Sequence, residues 1–342
     1  MLIIASLGVN SLSEDKIKKI ILAGADVLRY NFAYRTLEEN RTNIKNSQEI
    51  IYSLNADTKI LIDLPALKPR LGDFETKSFA VQENEEFLFK SASHTMDCNE
   101  FVPVNVARLG EIVKLNQTIT IGDGEIAIQI INIIDQDTVK AKILNTGTIF
   151  FKKPFNIFGF QYLDEKHILN FYQKTVPLAL DTRPNYIAIP FFNLKINEAL
   201  KAMIPNKEHI KIIIKITKKI TSEELDTICD DNNYSMILWE RGDVGVSVPF
   251  EQMGILQKNI ISLIKKKQKK IIISTQILDS TINSYIPNRS EISDLTNMVM
   301  AGVDGIMLCH ETAFGRRPAY TIANARKIIK ETEKHMTILH KI

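Results

Sequence analysis

The sequence lacks the features that mark secreted proteins, membrane proteins and metal clusters. It has three cysteines, Cys98, Cys229 and Cys309, an odd number at wide spacing. They form neither a disulfide framework nor a metal cluster, which favours a reducing compartment. No apolar run approaches the roughly 20 residues that span a bilayer, and the first residues lack the basic start and long apolar core of a signal peptide. We therefore expect a cytoplasmic protein without a membrane partner.

The sequence also has little net charge. With 43 basic and 40 acidic residues, the formal net charge is +3, which is too small to argue for nucleic acid as a partner. The chain has 342 residues, of which 45% are hydrophobic and 24% are charged. These values are typical of a globular protein with one large domain and one smaller domain.

What the chain does have is a repeated alternation of apolar strands and helical segments. Glycines that suit helix C-caps, Gly24 and Gly302, precede the second and the last of these strands. The sixth run begins at Met236 and stops abruptly at Glu240. We predict eight strands, at residues 2–7, 26–31, 59–63, 185–192, 209–216, 236–240, 270–275 and 304–309. Eight strands with helices between them predict a (β/α)₈ TIM barrel, an α/β fold.

The alternation is interrupted after the third strand. From residue 72 to residue 156 the sequence shows almost no helical periodicity, only short runs rich in Ile, Val, Thr and Phe. These runs predict strands at 87–89, 111–115, 119–121, 126–131 and 138–143, and Gly122-Asp-Gly124 signals a hairpin turn. We therefore expect a small all-β domain at 72–156, inserted in a barrel formed by residues 1–71 and 157–342.

Polar side chains collect at the predicted carboxyl ends of the strands, where enzymes of this architecture place their chemistry. They are Arg29, Asn31, Asp63, Arg70, Lys215, Glu240, Arg241, Asp243, Thr275 and Glu311. Each alone could be a capping side chain or part of a buried ion pair. Together, cations and carboxylates at one face suit a divalent metal ion and a phosphorylated or carboxylated substrate.

The sequence resembles the pyruvate kinase family over essentially its whole length, and the matching motifs occur in the same order as in the family. The motifs that carry the resemblance are Ile4-Ala-Ser-Leu-Gly8, Arg29-Tyr-Asn-Phe32, Leu61-Ile-Asp63, Lys68-Pro-Arg70, Lys152-Lys153 with Asn156, Lys215-Ile216, Glu240-Arg-Gly-Asp-Val-Gly245, Ser274-Thr-Gln276, Asn288-Arg-Ser-Glu291 with Asp294, and Met307-Leu-Cys-His-Glu-Thr312. The insert matches the family's lid domain. We expect a diverged member that lacks the family's C-terminal domain.

The resemblance implies roles for residues at the reaction centre. Lys215 would offset the developing charge of the transferred phosphoryl group, and Arg29 would hold the phosphate. Asp243 would bind Mg²⁺ (or Mn²⁺), and the amides of Gly242 and Asp243 would bind the substrate carboxylate. Thr275 would border the carbon that gains a proton when enolpyruvate becomes pyruvate.

The resemblance also implies roles for residues around the nucleotide. Arg70 and Lys153, with Asn31, fall where the family contacts nucleotide phosphates. Asn31 and Asp63 fall at its monovalent cation site. Lys68 replaces a glutamate of potassium-dependent members, and members with lysine here need no K⁺. The implied partners are a phosphoenolpyruvate-like substrate and a nucleotide, in a monomer or a homodimer.

Two departures from the family's motifs lie next to the expected reaction centre. The family has Lys-Ile-Glu at the fifth strand, and this glutamate is a Mg²⁺ ligand, but here the residue is Thr217. Glu240 stands where the family has a small alanine that lines the substrate pocket. Three hypotheses follow: Glu240 restores the lost ligand from the neighbouring strand, it narrows or recharges the pocket for a different substrate, or the site no longer does chemistry.

Three functions stay open on the sequence alone. The first is a phosphotransferase of pyruvate kinase type, favoured by Lys215, Arg29, Asp243 and Thr275. The second is lyase or transferase chemistry on a 2-oxo acid or an enolpyruvyl compound, favoured by Thr217 and Glu240. The third is a non-catalytic relative that binds a ligand or a partner, favoured by the expected lack of the C-terminal domain and by the loss of several loop motifs. All three stay open because a shared barrel does not fix the reaction.

Overall fold

The computed structural model describes residues 1–160, 165–205 and 210–339. The chain divides into two compact units. The first comprises Met1–Ala66, Asp164–Val244 and Glu251–Ile342, and the second comprises Leu67–Leu163 and Gly245–Phe250. The expected insert, 72–156, lies within the second unit, which starts five residues earlier and ends seven residues later than expected.

The first unit is a closed barrel of parallel strands. Its strands are β1 (Leu2–Ser6), β2 (Val27–Asn31), β3 (Lys59–Asp63), β14 (Tyr186–Pro190), β15 (Lys211–Ile216), β16 (Tyr234–Glu240), β17 (Ile271–Ser274) and β18 (Gly305–Leu308), where β4 to β13 belong to the second unit. They pair in the order β1-β18-β17-β16-β15-β14-β3-β2. The predicted (β/α)₈ barrel is confirmed. The fifth strand begins at Lys211, and His209 of the predicted strand lies outside the described residues.

Helices follow the strands of the barrel. They are α1 (Glu14–Leu22), α2 (Leu37–Ser53), α4 (Glu165–Leu180), α5 (Leu194–Met203), α6 (Ser222–Asp230), α7 (Arg241–Gly245), α8 (Met253–Lys266), α9 (Arg289–Met300), α10 (His310–Ala313) and α11 (Pro318–Leu339), with 3₁₀ turns at Phe250–Gln252 and Asp279–Ile282. As predicted, glycines follow the ends of α1 and α9. Gly24 and Gly302 have φ values of +102° and +76°, a backbone conformation that glycine adopts without strain.

The interior of the barrel is filled by one apolar residue or more from each strand. The buried members of this cluster are Ile4, Val27, Leu61, Ala188, Ile213, Met236, Leu238, Ile272 and Met307. The alternate residues, such as Ile214 and Ile237, are also fully buried. Because both faces of each strand are buried, the strands read in the sequence as continuous apolar runs.

The second unit is built mainly of antiparallel strands. They are β4 (Asp73–Phe74), β5 (Ser78–Val81), β6 (Glu86–Ser91), β7 (His94–Thr95), β8 (Val102–Val104), β9 (Thr118–Ile121), β10 (Ile126–Ile133), β11 (Thr138–Ile143), β12 (Gly147–Phe150) and β13 (Phe155–Asn156). Six of them form one sheet in the order β13-β9-β10-β11-β6-β8. Gly122 and Gly124, both with positive φ, lie in the hairpin between β9 and β10.

The strand predicted at 111–115 is wrong. Leu109–Ile112 is instead a short helix, α3, which starts after Arg108 in a left-handed conformation. Leu109 is fully buried and Ile112 packs against the same core cluster. Apolar residues three apart in so short a run fit one helical turn as well as a strand, so the period alone does not decide between them.

The entry and exit segments of the second unit pair with each other. Arg70 forms a β-bridge with Pro154. The Leu71 amide donates to the Lys153 carbonyl, and the Phe155 amide donates to the Pro69 carbonyl, each at 2.9 Å. This pairing, which we call the neck, joins the two ends of the insert. In the described part of the chain no helix is long and apolar enough to cross a membrane.

Candidate active site

A layer of polar side chains caps the apolar interior at the carboxyl ends of the strands. Successive side chains of a strand point to opposite faces, so the residue two positions after an interior residue also points inward. In six strands that residue is polar: Ser6 follows Ile4, Arg29 follows Val27, Asp63 follows Leu61, Lys215 follows Ile213, Glu240 follows Leu238 and Ser274 follows Ile272. The alternation of the strands therefore brings these six side chains to one end of the barrel.

Asp63 joins two cations within this layer. Its Oδ2 accepts a hydrogen bond from Arg29 Nε at 2.8 Å, and its Oδ1 lies 2.6 Å from Lys215 Nζ. The Arg29 Nη1 donates to the Ser6 hydroxyl at 2.8 Å. All four side chains are at least nine-tenths buried. The Asp63 carboxylate thus neutralises part of a charge that would otherwise be costly to bury.

The charged side chains of this array stabilise one another's ionised forms. Burial raises the pKa of the Asp63 carboxyl, but the charges of Lys215 and Arg29 outweigh burial and bring the pKa below its usual range. Burial lowers the pKa of the Lys215 ammonium, and the charges of Asp63 and Glu240 reverse this and raise it. The pKa of Arg29 is raised in the same way, chiefly by Asp63. Both bases are therefore charged at neutral pH.

Lys215 keeps part of its hydrogen-bonding capacity for a ligand. An ammonium has three N–H donors. Besides the contact with Asp63, Lys215 Nζ donates to the Leu64 carbonyl at 2.8 Å. The Glu240 Oε2 lies farther away, at 3.9 Å, which is an ion-pair distance but too long for a hydrogen bond. One donor of this buried ammonium is therefore available on the side of Glu240.

The carboxyl group of Glu240 has a pKa close to neutral pH. Burial raises the pKa of its carboxyl to about 7, and the charges of Asp63 and Asp243 act in the same direction. The charges of Lys215 and Arg29 oppose this rise. The side chain is 12% exposed. A further cation beside Glu240, in addition to Lys215 and Arg29, would therefore stabilise its ionised form.

Glu240 and Thr217 are neighbours on adjacent strands. Ile216 pairs with Trp239 in the parallel β15–β16 ladder, so the register places the next residues, Thr217 and Glu240, side by side. Both residues are at least nine-tenths buried. Asp243 follows in α7, and it is close enough for its charge to raise the pKa of Glu240. Two carboxylates, from Glu240 and Asp243, thus face the same region.

The loop after β17 carries Thr275 in an unusual conformation. Thr275 has a φ of +73° and Gln276 a φ of +52°. The Thr275 N–H faces the sulfur of Cys309. Burial raises the pKa of the Cys309 thiol to about 12, while the charge of Arg29 lowers it. Cys309 therefore lies between the Thr275 loop and the Arg29 side of the polar layer as a neutral thiol, not as a nucleophile.

Comparison with known proteins shows the family of this chain. The family model described as "Pyruvate kinase, barrel domain" matches residues 1–322. This chain belongs to the pyruvate kinase family. Pyruvate kinase of Thermotoga maritima is 30% identical over 99% of this chain and 72% of its own length. Those of Thermococcus litoralis and Buchnera aphidicola (Schizaphis graminum) are 30% and 29% identical, over 97% of this chain and 70% and 69% of their lengths.

The structure brings together most of the residues that the family resemblance singled out in the barrel. Arg29, Asp63, Lys215 and Glu240 share the polar layer described above. Asn31 is paired with Asp63 in the strand register, and its Oδ1 accepts a hydrogen bond from the Ala33 amide at 3.0 Å. Gly242 and Asp243 lie in α7, the helical turn that starts directly after β16.

Three of the predicted residues belong to the second unit. The guanidinium of Arg70 donates to the Lys152 carbonyl at 3.0 Å. Lys153 Nζ is paired with Glu125 at 2.7 Å, and both side chains are partly exposed. Lys68 is half-buried, shortly before the neck. The pKa of Glu125 is lowered because the nearby Lys153 outweighs the effect of burial.

Some members of the site had no role in the sequence analysis. Ser6 binds Arg29, and the Leu64 carbonyl binds Lys215. Glu311 accepts three backbone N–H groups, from Ile277, Leu278 and Cys309. Glu311 is among the polar residues that the sequence places at the strand ends, although without a role, and Ser6 carries the same signal, a polar residue at the end of an apolar strand. A backbone carbonyl carries no such signal.

Proposed function

We propose that this protein is a pyruvate kinase-like phosphotransferase. It transfers a phosphoryl group between phosphoenolpyruvate, or a related enolpyruvyl or 2-oxo acid compound, and ADP in a Mg²⁺-dependent reaction. The observation that carries this proposal is the buried Arg29–Asp63–Lys215 array with Glu240 beside it. Two charged bases in a site of low dielectric stabilise the charge of a transferring phosphoryl group far more than they would in water.

The donor set beside Lys215 fits Mg²⁺ (or Mn²⁺). Mg²⁺ is usually held by one or two carboxylates, with water and substrate oxygens completing its shell. Glu240 and Asp243 would supply the carboxylates. When bound, the ion would neutralise charge on the phosphoryl oxygens.

Lys215 and Arg29 would act on the phosphoryl group directly. The free donor of Lys215 would bind a phosphoryl oxygen as its charge develops, and Arg29 would hold another. Asp63 fixes both cations in place through its two oxygens. Because the array is already built, little reorganisation accompanies the reaction.

The substrate carboxylate and the carbon that gains a proton would lie at neighbouring loops. We assign the carboxylate to the amides of Gly242 and Asp243, which follow β16 directly. Thr275, after β17, would border the carbon that is protonated when the enolate becomes a ketone. Glu240 would line the pocket between these two loops. Its carboxylate would favour a substrate that binds together with a cation.

Arg70 and Lys153 of the second unit would contact the nucleotide phosphates. Lys68 would supply the positive charge that K⁺ supplies in potassium-dependent members of the family. The pairing of Asp63 with Arg29 and Lys215 supports this, since its charge is offset without K⁺. The protein would act as a monomer or a homodimer.

Isothermal titration tests the proposal. The purified protein is titrated with phosphoenolpyruvate with and without Mg²⁺, then with ADP, and pyruvate formation is followed in a coupled assay. Mg²⁺-dependent binding of both ligands with pyruvate formation supports a phosphotransferase. Binding of neither ligand would contradict the proposal and leave a non-catalytic relative.

A second candidate is different chemistry, of lyase or transferase type, on a 2-oxo acid or an enolpyruvyl compound. The pKa of about 7 for Glu240 favours it, because a general acid or base works best with a pKa near the working pH. Binding of phosphoenolpyruvate without binding of ADP, in the same titration, would favour this candidate over phosphoryl transfer.

A further inference from the structure

The loop after β17 holds two residues in the left-handed region of the backbone map. Thr275 has a φ of +73° and Gln276 a φ of +52°. Neither is glycine or asparagine, and threonine is β-branched, so the conformation is strained. Such strain persists only where the surroundings hold the backbone in place, and it is concentrated at functional sites.

Arg241 supplies contacts that hold this loop. Its Nε lies 3.2 Å from the Ser274 carbonyl and 3.0 Å from the Thr275 carbonyl. Its Nη2 donates to the Thr275 carbonyl at 2.7 Å and to the Gln276 carbonyl at 3.1 Å. One guanidinium therefore binds three successive carbonyls, which the planar fork of arginine allows and the single ammonium of lysine does not.

Arg241 is itself fixed on its other side. Its Nη1 pairs with Asp294 of α9 at 2.5 Å and lies 3.3 Å from the Gln257 side chain of α8. The arginine side chain is only 14% exposed. The guanidinium is thus held between two helices and the loop, so its position and that of the loop are coupled.

Glu311 holds the amide side of the same loop. This fully buried carboxylate accepts the N–H groups of Ile277 and Leu278 at 3.0 and 3.1 Å, and of Cys309 at 2.7 Å. The loop is therefore bound by a cation at its carbonyls and by a carboxylate at its amides. Within residues 1–160, 165–205 and 210–339 the half-buried Thr275 hydroxyl has no hydrogen-bond partner, which leaves it for a ligand.

We propose that Arg241 is a positioning residue, which keeps the Thr275 backbone left-handed and so directs the Thr275 hydroxyl toward the substrate. Arg241 acts through the carbonyls of the loop and touches no reacting atom. The inference rests on the proposed role of Thr275 in the reaction. Glu311 supports it from the opposite side of the loop.

The test combines a measurement without substrate and a measurement with substrate. Arg241→Lys keeps the charge opposite Asp294 but removes the fork. Hydrogen exchange at the Ile277 and Leu278 amides should become at least about tenfold faster, because these amides open only when the loop moves. The kcat should fall roughly tenfold to a hundredfold, while Kd for phosphoenolpyruvate changes less than about twofold, since the binding groups are intact.

A matched control and a rescue separate positioning from general stability. Arg326 has the same chemistry elsewhere, binding the carbonyls of Met1 and Gly24 and the Asp26 carboxylate. Arg326→Gln should leave the exchange of Ile277 and Leu278 unchanged. In the Arg241→Lys background, Gln276→Asn should recover part of kcat, because asparagine enters the left-handed region more readily.

Asp294→Asn provides a second variant if Arg241→Lys folds poorly, and it should change both readouts in the same direction to a smaller extent. Unchanged exchange in both variants would overturn the proposal, as would an equal loss of kcat and of phosphoenolpyruvate affinity. If the wild-type protein transfers no phosphoryl group, the proposed function fails by itself. Faster exchange in Arg241→Lys, with unchanged exchange in Arg326→Gln, would then still support the role of Arg241 in the loop, and unchanged exchange in Arg241→Lys would still overturn it.

Discussion

Thr217, the residue directly after β15, lies beside Glu240, the last residue of β16, because Ile216 pairs with Trp239 one residue earlier. A carboxylate on either strand can therefore reach nearly the same region of the polar layer. This register relationship explains how a site that carries threonine at one position can keep its charge through glutamate at the next strand.

In a variant that lacks Glu240, a glutamate at position 217 should restore metal binding. Glu240→Ala should weaken Mn²⁺ binding by at least roughly tenfold, since even residues that only hydrogen-bond to a metal ligand contribute this much to metal affinity. Mn²⁺ binding is measured by electron paramagnetic resonance in the presence of phosphoenolpyruvate. Thr217→Glu combined with Glu240→Ala should regain most of this affinity. Equal Mn²⁺ affinity in the wild type and in Glu240→Ala would show that Glu240 is no ligand.

Glu240 should make the folded state less stable as the pH rises. Its folded pKa of about 7 lies above the ordinary value of 4.5, so the folded state binds more protons between these values. Stability from this group is thus fully present below about pH 4.5 and is lost as the pH rises through 7. Complete ionisation costs about 3 kcal/mol, taking about 1.4 kcal/mol per pKa unit.

Urea unfolding of the wild type and of Glu240→Gln checks this dependence. The variant should gain stability over the wild type at pH 8 and should lose this advantage at pH 5. A constant difference between the two proteins across this range would contradict a raised pKa.

Removal of Asp63 should destabilise the barrel strongly. Asp63→Asn leaves Arg29 and Lys215 buried without their shared counter-ion, and breaking a buried pair in this way costs about 3–5 kcal/mol. Asp26→Asn is the matched control, because Asp26 also pairs with an arginine but is partly exposed. Its cost should be about 1 kcal/mol or less. Similar losses in urea unfolding for both variants would refute the difference.

Lys153 should bind nucleotide in competition with Glu125. Lys153→Met should weaken ADP binding roughly tenfold and leave phosphoenolpyruvate binding unchanged, because a charge-assisted contact with a phosphate is lost. Glu125→Gln should strengthen ADP binding, since the Lys153–Glu125 pair no longer has to open. Titration of both variants checks this. Unchanged ADP affinity in both would place the nucleotide elsewhere.

The barrel and its polar layer could be predicted from the sequence because both follow from local patterns. Continuous apolar runs give the strands, and a period of two places Arg29, Asp63, Lys215 and Glu240 on the inner face. The turn at Leu109–Ile112 was missed because so short a run has no decisive period.

The contacts between distant residues could not be predicted in the same way. The Lys215–Leu64 hydrogen bond joins residues far apart in the chain, and one partner is a backbone carbonyl. The left-handed backbone at Thr275 was also not foreseen, because glycine or asparagine normally signals it and neither is present there. Tertiary contacts of Arg241 and Glu311 impose it instead.

The neck between the ends of the insert bears on how the barrel folds. β3 and β14 are neighbours in the barrel, although more than a hundred residues separate Asp63 from Tyr186. Loop-closure entropy grows by only about 0.6 kcal/mol for each doubling of a flexible loop. Because the neck pairs Leu71 with Lys153 and Phe155 with Pro69, a folded insert shortens the connection to about six residues before Pro69 and about thirty, including α4, after Phe155. An insert that folds early would thus lower the loop-closure cost of pairing β3 with β14 by about 1 kcal/mol.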